Sequence, residues 1–154
     1  MIVRGVLRKT VAAVVVLALA GCGSPAAAPP DREWRANAQG VVQQLRQDVV
    51  SVAAFDRAPV ARVALHDDSQ LYGLLVAYTD FGGCAHMVAA LGVEPPHLAR
   101  VRRLLADACR HLRMADTFFT HAVSGGDPQL LVLATTAAAQ ALAPLERAQI
   151  ALRQ

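Results

Sequence analysis

The residue types that could do chemistry gather in two short patterns, Cys84-Ala85-His86 and Cys109-Arg110-His111. Two thiols and two imidazoles suit tetrahedral zinc. On a helix, however, residues two apart point about 200° away from each other, so each Cys and its His face different sides. The spacing therefore predicts cysteines turned inward and histidines outward. A second pattern runs His111, Met114, Phe118 and His121, with His86 and Met87 able to approach from a neighbouring helix. Imidazole with thioether suits copper, Cu(I) above all. The plainer use is an amphipathic boundary, with Met and Phe filling the edge of a core and His meeting solvent.

Readings as a catalyst find less. Glu94-Pro95-Pro96-His97 supplies one Glu-x-x-His, whereas a di-iron bundle needs two of them and two further glutamates. Beyond residue 22 the only glutamates are Glu33, Glu94 and Glu146. His66-Asp67-Asp68-Ser69 holds an acid, a base and a hydroxyl, but neighbours in sequence do not make a triad, and a polar helix start is the simpler use. The chain has no phosphate-cradling glycine loop, no C-x-x-C and no haem-attachment motif. The expectation is a protein that is not an enzyme and carries no cofactor. Copper binding by His86, Met87, His111, Met114 and His121, or carriage of a small apolar ligand, are the alternatives.

The first residues say more about place than about chemistry. Arg4, Arg8 and Lys9 precede an apolar run over residues 11–20, which ends in Leu19-Ala20-Gly21-Cys22. A basic start, an apolar segment and a small-residue cleavage site make a secretory signal peptide. Residues 10–21 would form about 18 Å of helix against roughly 30 Å of hydrocarbon, too short to span. Ala18-Leu19-Ala20 also reads as an ordinary cleavage site, but that cut leaves three cysteines in the mature chain, an odd number for a secreted protein. The Leu-Ala-Gly-Cys ending resembles the lipobox of bacterial lipoproteins. The resemblance covers residues 1–22 alone. It implies that residues 1–21 are removed, that Cys22 is lipidated, and that the protein sits on the extracytoplasmic side of a cell membrane. Lipidation of Cys22 leaves Cys84 and Cys109 as an even pair in an oxidising compartment, where the default reading is a structural disulfide. Such a bond closes a loop of about 25 residues, for which chain entropy gives roughly 3 kcal/mol.

Composition supports that division. All twelve acidic residues lie beyond Cys22, whereas three of the fifteen cations lie before it, so the remainder is formally neutral. Net charge therefore gives no argument for nucleic-acid binding. The expected partners are the membrane, through Cys22, and an envelope protein or ligand that the sequence does not identify. The 133 residues from Cys22 onward suffice for one domain with a real core. Ala and Leu dominate, and no stretch alternates with period two for long, which favours helices.

The elements that must position these residues follow from periodicity. Residues 22–30 hold three prolines and no large apolar side chain, and read as the lipidated Cys with an extended tether. The domain is then 31–154. Asp31 is a candidate N-cap for a helix whose face is Trp34, Ala38, Val41, Leu45, Val49 and Val52, ended near Pro59. Residues 60–66 fit a short helix or an irregular connection equally well. A second helix starts near Asp68 or Ser69, with the stripe Leu71, Leu74, Tyr78, Phe81, Cys84, Val88 and Leu91. Gly73, Gly82 and Gly83 inside it mark either close approach or weak points. The third carries Leu98, Val101, Leu105, Ala108, Leu112, Ala115, Phe119 and Ala122, and stops at Gly125-Gly126. Asp127-Pro128 caps a fourth, with the seam Leu131, Ala134, Ala138, Ala141, Leu145, Ala148 and Leu152, kinked at Pro144. Arg100, Arg103 and Arg110 share one face of the third helix with Arg102 and Arg113 beside it, a solvated surface or one that meets lipid headgroups. The predicted fold is all-α, an up-and-down four-helix bundle behind a signal peptide and a flexible Pro/Ala linker.

Overall fold

The structure is a computed structural model that describes residues 30–57 and 68–154. The leader, Cys22, the tether up to residue 29 and the ambiguous stretch 60–66 lie outside the described residues. Helix α1 (Pro30–Arg57) begins on a proline, whose missing N–H costs nothing at a first helical position. Asp31 is consequently not the N-cap: it lies inside the first turn with Glu33, where both carboxylates face the positive end of the helix dipole. The buried face of α1 is Trp34, Ala38, Val42, Leu45, Val49 and Val52. Val42 takes the core position expected for Val41, which is only half-buried. Both valines satisfy the helical period, and contact with the neighbouring helices decides between them.

Helix α2 (Asp68–Ala90) buries Leu74, Tyr78, Phe81, Cys84 and Val88 as the stripe predicts, and Ala77 with them. It ends where Gly92 adopts φ 73°, a left-handed conformation in which a Cβ is strained. A 3-10 turn at Pro96–Leu98 leads into α3 (Ala99–Gly125). Arg102 ties this corner down: its guanidinium donates to the Gly92 carbonyl at 2.9 Å and pairs with Glu94 at 3.1 Å. Every residue of the expected α3 seam, from Leu98 to Ala122, is buried. Gly126, at φ 69°, closes α3 by donating its N–H to the Ala122 carbonyl at 2.8 Å.

Asp127 caps the next helix as expected, its carboxylate accepting from the Gln129 N–H at 2.9 Å. The fourth rod is two helices, α4 (Pro128–Gln140) and α5 (Leu142–Arg153). Pro144 has no N–H to offer the Gln140 carbonyl, and the chain tightens one residue later, where Ala141 N–H bonds Ala138 O at 3.0 Å. The seam nevertheless continues across the break, since Ala134, Ala138, Ala141, Leu145, Ala148 and Leu152 are all buried. Taken together, Pro128–Arg153 is long and apolar enough to cross a membrane by length and composition, yet here it is the fourth wall of the bundle.

Each rod packs on two others. α1 lies against α2 and the α4–α5 rod, and α3 lies against the same pair from the opposite side. This is the up-and-down ring: α1 and α3 run parallel on one diagonal, and the start of α1 shares an end of the bundle with the α2–α3 corner and the end of α5. Arg35, near the start of α1, accordingly donates to the Leu152 carbonyl.

The internal glycines divide cleanly. A Cβ on Gly82 would come within 2.8 Å of the Asp116 carboxylate, so this glycine allows a close approach to α3. Gly73 and Gly83 face open space and contribute only backbone freedom to the unfolded chain. Gly73→Ala and Gly83→Ala should each raise the unfolding free energy by about 0.5–1 kcal/mol, read as an increased urea midpoint at unchanged slope.

Candidate functional site

Cys84 and Cys109 are joined, with Cα atoms 5.4 Å apart, and both are buried between α2 and α3. The 3-10 turn supplies the climb that brings these two positions level. His86 then points to solvent as the helical geometry requires. His111 departs from expectation. It is half-buried, and its Nδ1 has no hydrogen-bond partner. Met87 is half-buried, and Met114 and His121 are exposed. No three His, Cys, Asp or Glu side chains come together as a metal-binding group among the described residues. The sulfurs that a metal would take are held in the disulfide. Glu94 is engaged by Arg102, and His97 stands exposed at the 3-10 turn.

The feature that gathers charge is the outer face of α3. A broad, open groove of about 910 Å³ runs along it, lined by Arg100, Arg103, Arg110 and Arg113 from α3 and Arg147 from α5, with Ala85 and Val88 of α2 on its other side. Spacings of three, seven and three place the α3 arginines on one flank of the helix. Asp107 is the single acid in the groove lining. Its carboxyl accepts from Arg110, and that hydrogen bond holds it below the usual carboxylate range, helped by the positive charge of Arg110 and Arg147. The guanidinium groups of Arg100, Arg103 and Arg113 make no hydrogen bond or ion pair with any described residue. Elsewhere on the bundle Arg35, Arg46 and Arg102 are each tied to a carbonyl, an amide or a carboxylate, while Arg32 and Arg153 stand singly near the helix ends without a side-chain partner among the described residues. The groove thus keeps unpaired guanidinium groups side by side on a chain whose charge beyond residue 22 sums to zero.

Sequence placed Arg100, Arg103 and Arg110 here, set Arg113 beside them, and set Arg102 there too. The structure sends Arg102 to the α2–α3 corner and brings in Arg147. Nothing in the α5 pattern distinguishes Arg147 from any other residue flanking the seam, since only packing of α5 on α3 brings it to the groove.

Across the bundle, α1 and α2 bring two carboxylates together. Asp48 is buried, and the Gln44 side-chain amide lies 3.2 Å from both of its oxygens and 3.4 Å from Asp80. Burial raises the Asp48 pKa above the ordinary aspartate value, and Asp80 raises it further, while the Gln44 bond opposes both. The folded chain therefore binds a proton more readily than the unfolded one. Stability contributed by Asp48 falls as pH rises from the unfolded value of about 3.9 through the raised folded value. Asp48→Asn should accordingly be more stable than the parent at neutral pH, and the difference should shrink steadily as urea melts are repeated toward pH 4.

Comparison with known proteins finds no matching family, no curated relative and no matching solved structure.

Proposed function

We propose that this chain is a lipid-anchored helical binding module of the bacterial cell envelope, held at the extracytoplasmic face of the membrane through Cys22. The observation that carries the reading is the Cys84–Cys109 bond. A disulfide buried in a core belongs to an oxidising compartment, and a lipobox leader delivers a chain to such a compartment. With two of three cysteines paired, Cys22 is the one thiol left to carry lipid.

The groove supports binding as the role. A carrier of a small apolar ligand needs an enclosed apolar cavity of roughly 300 Å³ or more. The groove on α3 is instead open and lined by five arginines, which favours an anionic partner.

Globomycin, or Cys22→Ala, should move the protein from the membrane fraction to precursor or soluble forms. A Cys22→Ala protein that still fractionates as the mature membrane species overturns the anchor.

A further inference from the structure

We infer that the outer face of α3 docks side-on against anionic phospholipid headgroups of the membrane in which the Cys22 lipid sits. The inference rests on the anchoring reading for the identity of that membrane. Three observations on the domain itself point to it.

The first is the unpaired charge. The guanidinium groups of Arg100, Arg103 and Arg113 have no partner among the described residues, and Arg147, bonded only through Nε to the Ala143 carbonyl of its own helix, adds a fourth from α5. A guanidinium is planar, weakly hydrated for a cation, and matches a phosphate with two parallel bonds. From Arg100 to Arg113 the row spans about 20 Å of helix, several headgroups long. A shape this open and extended fits a surface better than a single small anion.

The second is sign. The buried and half-buried carboxylates Asp48 and Asp80 lie at the α1–α2 interface, away from the groove, and Asp107 is already engaged by Arg110. The face offered to the headgroups is therefore basic although the chain is formally neutral beyond residue 22.

The third is reach. α3 lies diagonally opposite α1, so with α3 on the membrane Pro30 is on the far side. Neighbouring axes about 9 Å apart give a diagonal of roughly 13 Å, and the radius of α3 adds about 5 Å. The chain must climb about 18 Å from Cys22 to Pro30. Eight residues at about 3.1 Å each reach roughly 25 Å. The connection is long enough for side-on docking with little to spare.

The test uses the full lipidated protein, reconstituted into vesicles of phosphatidylcholine alone or with added phosphatidylglycerol. Phenylglyoxal modification of individual arginines is read by peptide mass. On the anionic vesicles at low salt Arg100, Arg103 and Arg113 should become several-fold less reactive than on neutral vesicles, while Arg32 of α1 stays reactive on both. Half-molar salt should abolish the difference. Deleting residues 26–29 should abolish it too, with the protein still bound to vesicles, because four residues reach only about 12 Å. Equal reactivity on both vesicles overturns the docking, as does protection that survives the deletion. Protection by inorganic phosphate alone, without vesicles, assigns the groove to a free anion and also overturns it. Absence of acyl chains on Cys22 is read separately from the intact mass and overturns the anchor alone. In that case the same chain is floated with phosphatidylglycerol vesicles against Arg100→Gln/Arg103→Gln/Arg113→Gln. At about fivefold per arginine the triple variant should partition about a hundredfold more weakly. Equal partitioning overturns the docking independently of the anchor.

Discussion

Reduction of the Cys84–Cys109 bond should lower the unfolding free energy by about 3 kcal/mol, because the bond removes a loop of 25 residues' separation from the unfolded ensemble. For a domain of this length that corresponds to a melting temperature lower by about 10 °C. The same loss should follow from Cys84→Ala with Cys109→Ala, provided the two small side chains leave the α2–α3 packing intact. Intact mass before and after alkylation checks the premise directly. The oxidised protein should be two hydrogens lighter and take up no label without reductant. Two readily alkylated thiols in protein made in an oxidising compartment would remove the bond and, with it, the structural support for export.

Phe81→Ala should cost more, about 3–5 kcal/mol. Phe81 is fully buried one turn before Cys84, and its ring meets Tyr78 edge-on at 5.3 Å between centroids. Tyr78 in turn stacks on Phe119 of α3 at 3.9 Å. Truncation of Phe81 removes a large apolar side chain and leaves a void that the stacked pair cannot fill without giving up its own contact. Urea unfolding should show a lower midpoint, and near-ultraviolet circular dichroism a weaker aromatic signal. A change below about 1 kcal/mol would mean that the site collapses freely, and that the aromatic trio is not the rigid centre of the α2–α3 pair. Phe81 sits one turn from the disulfide, so its cost in the reduced protein need not add to the first effect.

The helices were legible in the sequence where one face was unambiguous. The α3 seam is buried residue for residue, with its apolar neighbours Leu104 and Phe118 half-buried at the edge, because arginines and other polar residues occupy most of the remaining flank. Near the middle of α1 two valines stand together, and periodicity alone could not say that Val42, rather than Val41, enters the core. Pro144 announced a break, but the position of the tightened turn at Ala141 depends on which carbonyl loses its partner. The groove was half legible. Spacing on α3 gathers Arg100, Arg103 and Arg110, but Arg147 arrives from another helix, and Arg102 leaves because Glu94 and the Gly92 carbonyl are within its reach. His111 was misplaced for a related reason: a position two residues from an inward Cys is turned about 200° away on its own helix, which says nothing of how far the adjacent rod covers it.

The position of the disulfide also decides how the domain answers a mechanical load. A pull between the N-terminus and the C-terminus acts first on α1 and on the α4–α5 rod, which the disulfide does not tie to their neighbours. The bond then short-circuits the stretch between residues 84 and 109, which carries no tension at any extension. A fully drawn-out chain is therefore shorter than its residue count implies by about 85 Å, at roughly 3.4 Å for each residue bypassed. Within that shielded loop lie Arg100, Arg102 and Arg103, so the corner that Arg102 fastens and part of the arginine face stay out of the force path even after α1 has peeled away.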